Sequence, residues 1–215
     1  MDRMSFERMS PYADHGSWAV WGPLGRNPAQ PFTATSDISF PELADGGLDR
    51  LLPFLNTRAV IVGLNPGNAY DPGRAPWDGH HYGGRSNDHL SAEAFRDTPY
   101  WGSYLTDLFR IVESDSRVLD ATLAADAIAV STGITQWIAE VQDLQADNPV
   151  IICIGVDSFT QLMAHADRLG DELAIRPERI VRILHYSATA AGHHRNDPAI
   201  YRRKVELALS EAGVL

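Results

Sequence analysis

Cysteine is almost absent: Cys153 is the only one in 215 residues. A disulfide scaffold, an iron–sulfur cluster and a cysteine zinc site all need more. Lysine is just as scarce. Of 18 basic residues only Lys204 is lysine, so there is no P-loop, and Schiff-base chemistry has one candidate, in the C-terminal helical segment. Long apolar runs are missing too. The longest, 59–64 and 149–156, fall far short of the ~18 residues of a membrane span. The N-terminus has no apolar stretch of the secretory type, so a cytoplasmic location is expected. No G-x-S-x-G, H-E-x-x-H or G-x-G-x-x-G motif occurs.

What is present is an ordinary globular composition, with 44% hydrophobic and 21% charged residues. That excludes disordered, collagenous and coiled-coil classes. The net charge of −10 argues against a broadly basic nucleic-acid face. The acids are unevenly placed, however. The stretch from His185 to Arg195 has no acid, one Arg and three His, which allows a neutral-to-basic working face on an acidic body.

Residues 1–45 read as an irregular, proline-rich arm whose Trp18 and Trp21 anchor it by packing, followed by one domain over 46–215. Residues 48–55 read as a short amphipathic helix. Buried strands are expected at 59–64, 150–155 and 180–184, from short β-branched apolar runs. Apolar spacing predicts helices over 134–144, 159–166 and 201–212. Residues 103–109 fit strand or helix, and 117–130 is ambiguous but allows a helix. Residues 65–90 read as a long Gly/Pro/His-rich loop. Alternating strands and helices imply parallel βαβ units, so the expected fold is α/β. Such sheets bind ligands at the carboxyl ends of their strands. Two unusual loops leave strand ends, at Asn65 and at His185, and these form the candidate site.

Gly63-Leu64-Asn65-Pro66-Gly67 combines two glycines that permit close approach, a stiffening proline and an amide with donor and acceptor. Asn-Pro-Gly is equally good chemistry for a plain strand-exit turn. His185-Tyr186-Ser187 places an imidazole at a strand end, where it either donates to a developing oxyanion or is a satisfied interior histidine. The two motifs strengthen each other by occurring in this order in one α/β domain.

Together they resemble the motifs of the uracil-DNA glycosylase superfamily. G-L-N-P-G is similar to the G-x-N-P-G first motif of its mismatch-specific and single-strand-selective branches, and His185-Tyr-Ser to the H-P-S second motif. The resemblance spans roughly residues 57–210. It implies a three-layer α/β/α sandwich around a mainly parallel four-stranded sheet. It also implies hydrolysis of the bond between a damaged base and deoxyribose, with the base flipped out of the stack. Asn65 would position the attacking water, and His185, as a neutral donor, would stabilise charge on the leaving base. Branches with Asp in the first motif hold a stronger water-orienting group, so Asn65 implies a slower enzyme. With no lysine in either motif, glycosylase action without lyase action is expected. No cofactor and no metal are implied. His80-His81 with Asp78 and His89 matches no zinc spacing.

An aromatic residue about a dozen positions past the first motif's Asn or Asp stacks on the base in this family. Trp77 holds that place here, with Tyr82 in reserve; a loop anchor against the core is the other reading of Trp77. Asp107 falls where many members have a base-reading Asn. An ionised Asp only accepts, so it implies altered base preference, unless a raised pKa keeps it protonated or it is a surface acid outside the pocket. Gly63, Leu64, Pro66, Gly67 and Ser187 complete the expected substrate-binding set. Arg74, Arg85, His194 and Arg195 are the candidate phosphate contacts. Where an apolar wedge follows the second motif in many members, Thr189 stands here. That favours single-stranded or mismatched DNA as partner of a monomeric enzyme. The rival functions are an N-glycosidase for free nucleosides or another modified base, and a member that binds bases or nucleic acid without turnover.

Overall fold

A computed structural model describes residues 1–67, 73–82, 86–187 and 191–215. In chain order the elements are α1 (Arg3–Arg8), β1 (Ser17–Trp18), α2 (Gly47–Leu51), β2 (Ala59–Gly63), α3 (Asp88–Phe95), β3 (Tyr104–Asp107), α4 (Ser116–Ala125), α5 (Ala127–Leu144), β4 (Val150–Ile154), α6 (Val156–Ala164), α7 (Ala166–Leu173), β5 (Ile180–Ile183), α8 (Ala191–His194) and α9 (Pro198–Glu211). Short 3-10 turns follow α1 and α2 and precede β5.

The strands form one sheet in the order β1-β3-β2-β4-β5. β3, β2, β4 and β5 are parallel, and β1 is antiparallel to β3. Every residue of β2, β3 and β4 is buried. Side chains alternate between the faces of a strand, so continuous burial means that both faces are covered. On α9, Tyr201, Val205 and Leu209 are buried, and the helix packs against α3 and β5. α5 packs against α1, α4 and α7. Two aspartates start the long helices: Asp126 accepts from the Ala129 amide and Asp197 from those of Ala199 and Ile200.

The sheet has five strands rather than four. The extra strand, β1, comes from the stretch expected to be irregular, which also carries α1. Trp18 is fully buried, packing edge-on to Tyr104 with ring centroids 5.1 Å apart. Residues 103–109 resolve as strand because β3 pairs on both sides, with β1 and β2. Among the described residues no single helix is long and apolar enough to cross a membrane.

One buried carboxylate ties the arm to the sheet. Glu140 of α5 is fully buried and accepts from Tyr104 Oη at 2.8 Å and Arg110 Nη2 at 2.7 Å, with His15 Nε2 at 3.4 Å. Removing the Glu140 carboxylate leaves the buried Tyr104 hydroxyl and His15 ring without their partner, while Arg110 turns to solvent, at a cost of about 3–5 kcal/mol. Glu140→Ala is therefore expected to lower stability by about 3–5 kcal/mol in urea denaturation, and Glu140→Gln by clearly less. Equal losses in the two variants would contradict this.

Candidate active site

The parallel order places the carboxyl ends of β3, β2, β4 and β5 side by side. Asp107, Gly63 to Asn65, Gly155 and His185 lie at or just past those ends. With strands about 4.8 Å apart, the exits of β2 and β5 are separated by roughly 10 Å.

The first loop is stitched to the chain leaving β3. Gly63 O accepts from Leu108 N at 3.0 Å, Leu64 O from Phe109 N at 2.9 Å, and Pro66 O from Glu113 N at 3.2 Å. Asn65 reinforces this: its Nδ2 donates toward the carbonyls of Pro66, Ile111 and Glu113 at 2.9, 2.8 and 2.7 Å. An amide whose donors are so engaged presents its Oδ1 as an acceptor. Leu64 and Pro66 are half-buried, and Gly67 is exposed.

Gly63 is glycine for a spatial reason. It is the register partner of Asp107 across β2 and β3, and a methyl group there would overlap Asp107 Oδ1. Asp107 is buried, with His80 Nε2 at 3.7 Å from Oδ2. Among the described residues its carboxyl group takes no hydrogen bond. Burial pushes its pKa up, opposed by the imidazoles of His80 and His15. The surface-acid alternative for Asp107 is thereby overturned.

His185 follows β5 and lies over the end of β4: a Cβ at Gly155, whose φ is +95°, would stand 3.1 Å from its Cδ2. The Ser187 amide donates to Nδ1 at 2.9 Å. An Nδ1 that accepts puts the ring proton on Nε2. Burial, helped by His194, lowers the pKa to about 4, so the ring is neutral near pH 7. Nε2 makes no hydrogen bond among the described residues.

The second motif is clamped from α3, α8 and α9. Asn87 Nδ2 donates to Tyr186 O at 3.0 Å, Tyr201 Oη to Leu184 O at 2.7 Å, and His194 Nε2 to Ser187 O at 3.2 Å. Ser187 is half-buried. Buried Asp88 accepts from Tyr82 N at 2.7 Å, and the Tyr186 hydroxyl feels the charges of Asp88 and Asp107, which with burial hold it un-ionised. Asn87 and Asp88 escaped sequence reasoning. Their signal was available as an Asn-Asp pair ahead of the helix formers Leu90, Ala92, Glu93 and Ala94, a common helix start.

Several expected residues sit elsewhere. Trp77 is not a base-stacking residue. It is buried, with ring centroids 5.1 Å from Phe6 and 6.0 Å from Trp18, because its φ of +70° turns it inward. Tyr82 is half-buried, with the Arg74 guanidinium 3.5 Å from its ring centroid. Arg74 also contacts Asp78 Oδ2 at 3.3 Å, so it is not a free cation. His194 is fully buried, which excludes it as a surface phosphate contact. Arg195 is exposed. Arg85 and Thr189 lie outside the described residues. His80 faces Asp107 while His81 turns to Ile38 O and Ser17 Oγ, so the adjacent histidines diverge. Two surface depressions lie away from these strand ends, along α4 and between α4, α5 and α6.

The family model of the Uracil DNA glycosylase superfamily matches residues 50–206. The chain belongs to that superfamily. No curated protein and no solved structure matches it. Membership supports a glycosylase-type function in general, with DNA as the substrate class of superfamily members. The matched span begins in α2 and ends in α9, so it covers Asn65, Asp107 and His185 together and leaves out β1.

Proposed function

We propose that this superfamily member is a monofunctional DNA glycosylase that hydrolyses the N-glycosidic bond of uracil or a related deaminated base. The observation that carries the reading is His185, a half-buried neutral imidazole whose Nδ1 is held by the Ser187 amide. Its Nε2–H meets no acceptor among the described residues and is the donor offered to the base. In the reaction the bond from C1′ to the base nitrogen breaks, and its electron pair leaves with the base. Nε2–H donates to the base oxygen on which that negative charge grows. The sugar becomes oxocarbenium-like. Asn65 Oδ1 accepts from one O–H of a water whose oxygen adds to C1′, and the released proton passes to solvent. An Asn accepts a hydrogen bond but takes no proton, so its part is orientation. Tyr82, backed by Arg74, offers a ring for the flipped base, a contact worth about 1–3 kcal/mol. Lys204, the single lysine, is exposed on α9, which supports base release without strand cleavage.

Single-stranded or mismatched DNA is the proposed substrate, since an unpaired base is flipped at least cost. The test is release of free base from oligonucleotides carrying uracil, hypoxanthine, xanthine or methylated bases, as single strand, duplex and mismatch. Release that leaves an intact abasic strand is expected. No release from any of them would reject the reading. A second reading, hydrolysis of free nucleosides, is favoured by the net charge of −10 and the burial of His194. Salt separates the two: an enzyme that grips phosphates loses affinity steeply as salt rises, and a nucleoside hydrolase does not.

A further inference from the structure

The carboxyl group of Asp107 lies at the strand ends, and its protonation form decides which base edge it matches. It is buried, lies against Gly63, and has no hydrogen-bond partner among the described residues. Among the described residues, six titratable or charged groups act on it. His80 and Tyr82 come from the loop before α3, His15 from the arm, Arg110 from the chain after β3, Glu140 from α5 and Tyr186 from the second motif. Arg110 is already paired with Glu140 at 2.7 Å, and His80 stands at 3.7 Å, beyond hydrogen-bond range. Nothing described therefore holds Asp107 ionised by direct contact.

Deaminated bases present a ring N–H beside a C=O. An ionised carboxylate accepts from the N–H but repels the carbonyl oxygen next to it. A neutral carboxylic acid meets both, its C=O accepting from the ring N–H and its O–H donating to the carbonyl. We propose that Asp107 reads the N–H/C=O edge of the excised base as a neutral carboxylic acid, and that uracil release is therefore confined to pH values at which Asp107 holds its proton. This rests on the glycosylase reading of the site. Burial, which raises the pKa of Asp107, moves that window toward neutrality. The sign follows: the reading form is present below the folded-state pKa and is lost as pH rises through it. On the acid side the window is bounded by protonation of His185 near pH 4.

The experiment is the pH–rate profile of uracil release from a single-stranded oligonucleotide under single-turnover conditions, for the wild type and Asp107→Asn. The asparagine variant keeps a donor and an acceptor at every pH. The wild-type rate is expected to fall about tenfold per pH unit above its midpoint, and Asp107→Asn to be flat over the same range. A descending limb of the same midpoint in both, or in neither, overturns the inference while leaving the glycosylase reading intact. No release by either protein at any pH overturns that reading and the inference with it. Should Asp107→Asn not fold, the Asp107 carboxyl carbon followed by 13C NMR in the wild type decides the matter. Its titration is expected at the kinetic midpoint, and a carboxyl that ionises without any matching change in rate overturns the proposal.

Discussion

His185→Ala is expected to slow base release by about 100- to 1,000-fold, a loss of about 3–4 kcal/mol in transition-state stabilisation, while binding of the DNA strand changes little. The argument is electrostatic. Charge on the leaving base grows only as the glycosidic bond breaks, so a donor aimed at that oxygen acts mainly on kcat. The pocket around His185 is set up for a neutral donor. Burial lowers its pKa to about 4, and the Ser187 amide already points at Nδ1. A proton on Nδ1 would put two N–H groups face to face. The rate is therefore expected to fall on acidification through about pH 4, as the imidazolium forms. His185→Gln, which restores a neutral donor, is expected to recover part of the loss. Single-turnover kinetics on a uracil-bearing strand measures all three. A His185→Ala rate within a factor of three of wild type would contradict the assignment.

Asn65→Asp is expected to inactivate the protein rather than improve it, although Asp is the stronger water-orienting group in other branches of the superfamily. Asn65 Nδ2 sits among three backbone carbonyls, at 2.7 to 2.9 Å. A carboxylate there would bring a charged acceptor against three acceptors, and only the backbone bond from Glu113 N to Pro66 O would still join the loop to residues 111–113. The carbonyls lose their partner and the oxygens repel, a cost of several kcal/mol given about 1–3 kcal/mol for each unsatisfied buried group. The carboxyl would keep its proton or the loop would move away. Asn65→Ala lacks the repulsion, so it is expected to retain more stability than Asn65→Asp while losing activity by a similar factor. Thermal denaturation and base-release rates on the three proteins check both halves. An Asn65→Asp variant that is faster than wild type would show that the loop geometry does not govern this position.

Much of the site was legible in the sequence because it lies at the ends of the most regular elements. β2 and β4 are short apolar runs, β5 is apolar but for the exposed Arg182, and Gly63 and His185 mark where two of them stop. Segments with weaker signals were harder to read. β1 is two residues long and forms only because Trp18 and Ser17 meet the open edge of β3, a tertiary contact with no local pattern. The start of α3 was lost in the long loop because all eight of its residues are buried, which erases the amphipathic period. Trp77 was misplaced because counting twelve positions along an irregular loop fixes distance but not direction, and a φ of +70° reverses the side chain. His194 looked like part of a cationic tip, yet it is buried beneath Tyr201 with ring centroids 5.6 Å apart. Asp107 was recognised as a departure, but whether it faced solvent or the site depended on its register with Gly63, which only the sheet reveals.

The account depends most on His185 being a neutral Nε2–H donor directed at the base. Long-range 1H–15N correlation spectra of the histidine rings test this without any assay of turnover. The Nε2–H tautomer of His185 is expected to persist from pH 8 to about pH 5, with the Nε2 resonance shifting when free uracil is added. An imidazolium at pH 7, a proton on Nδ1, or an Nε2 signal indifferent to saturating uracil would contradict it.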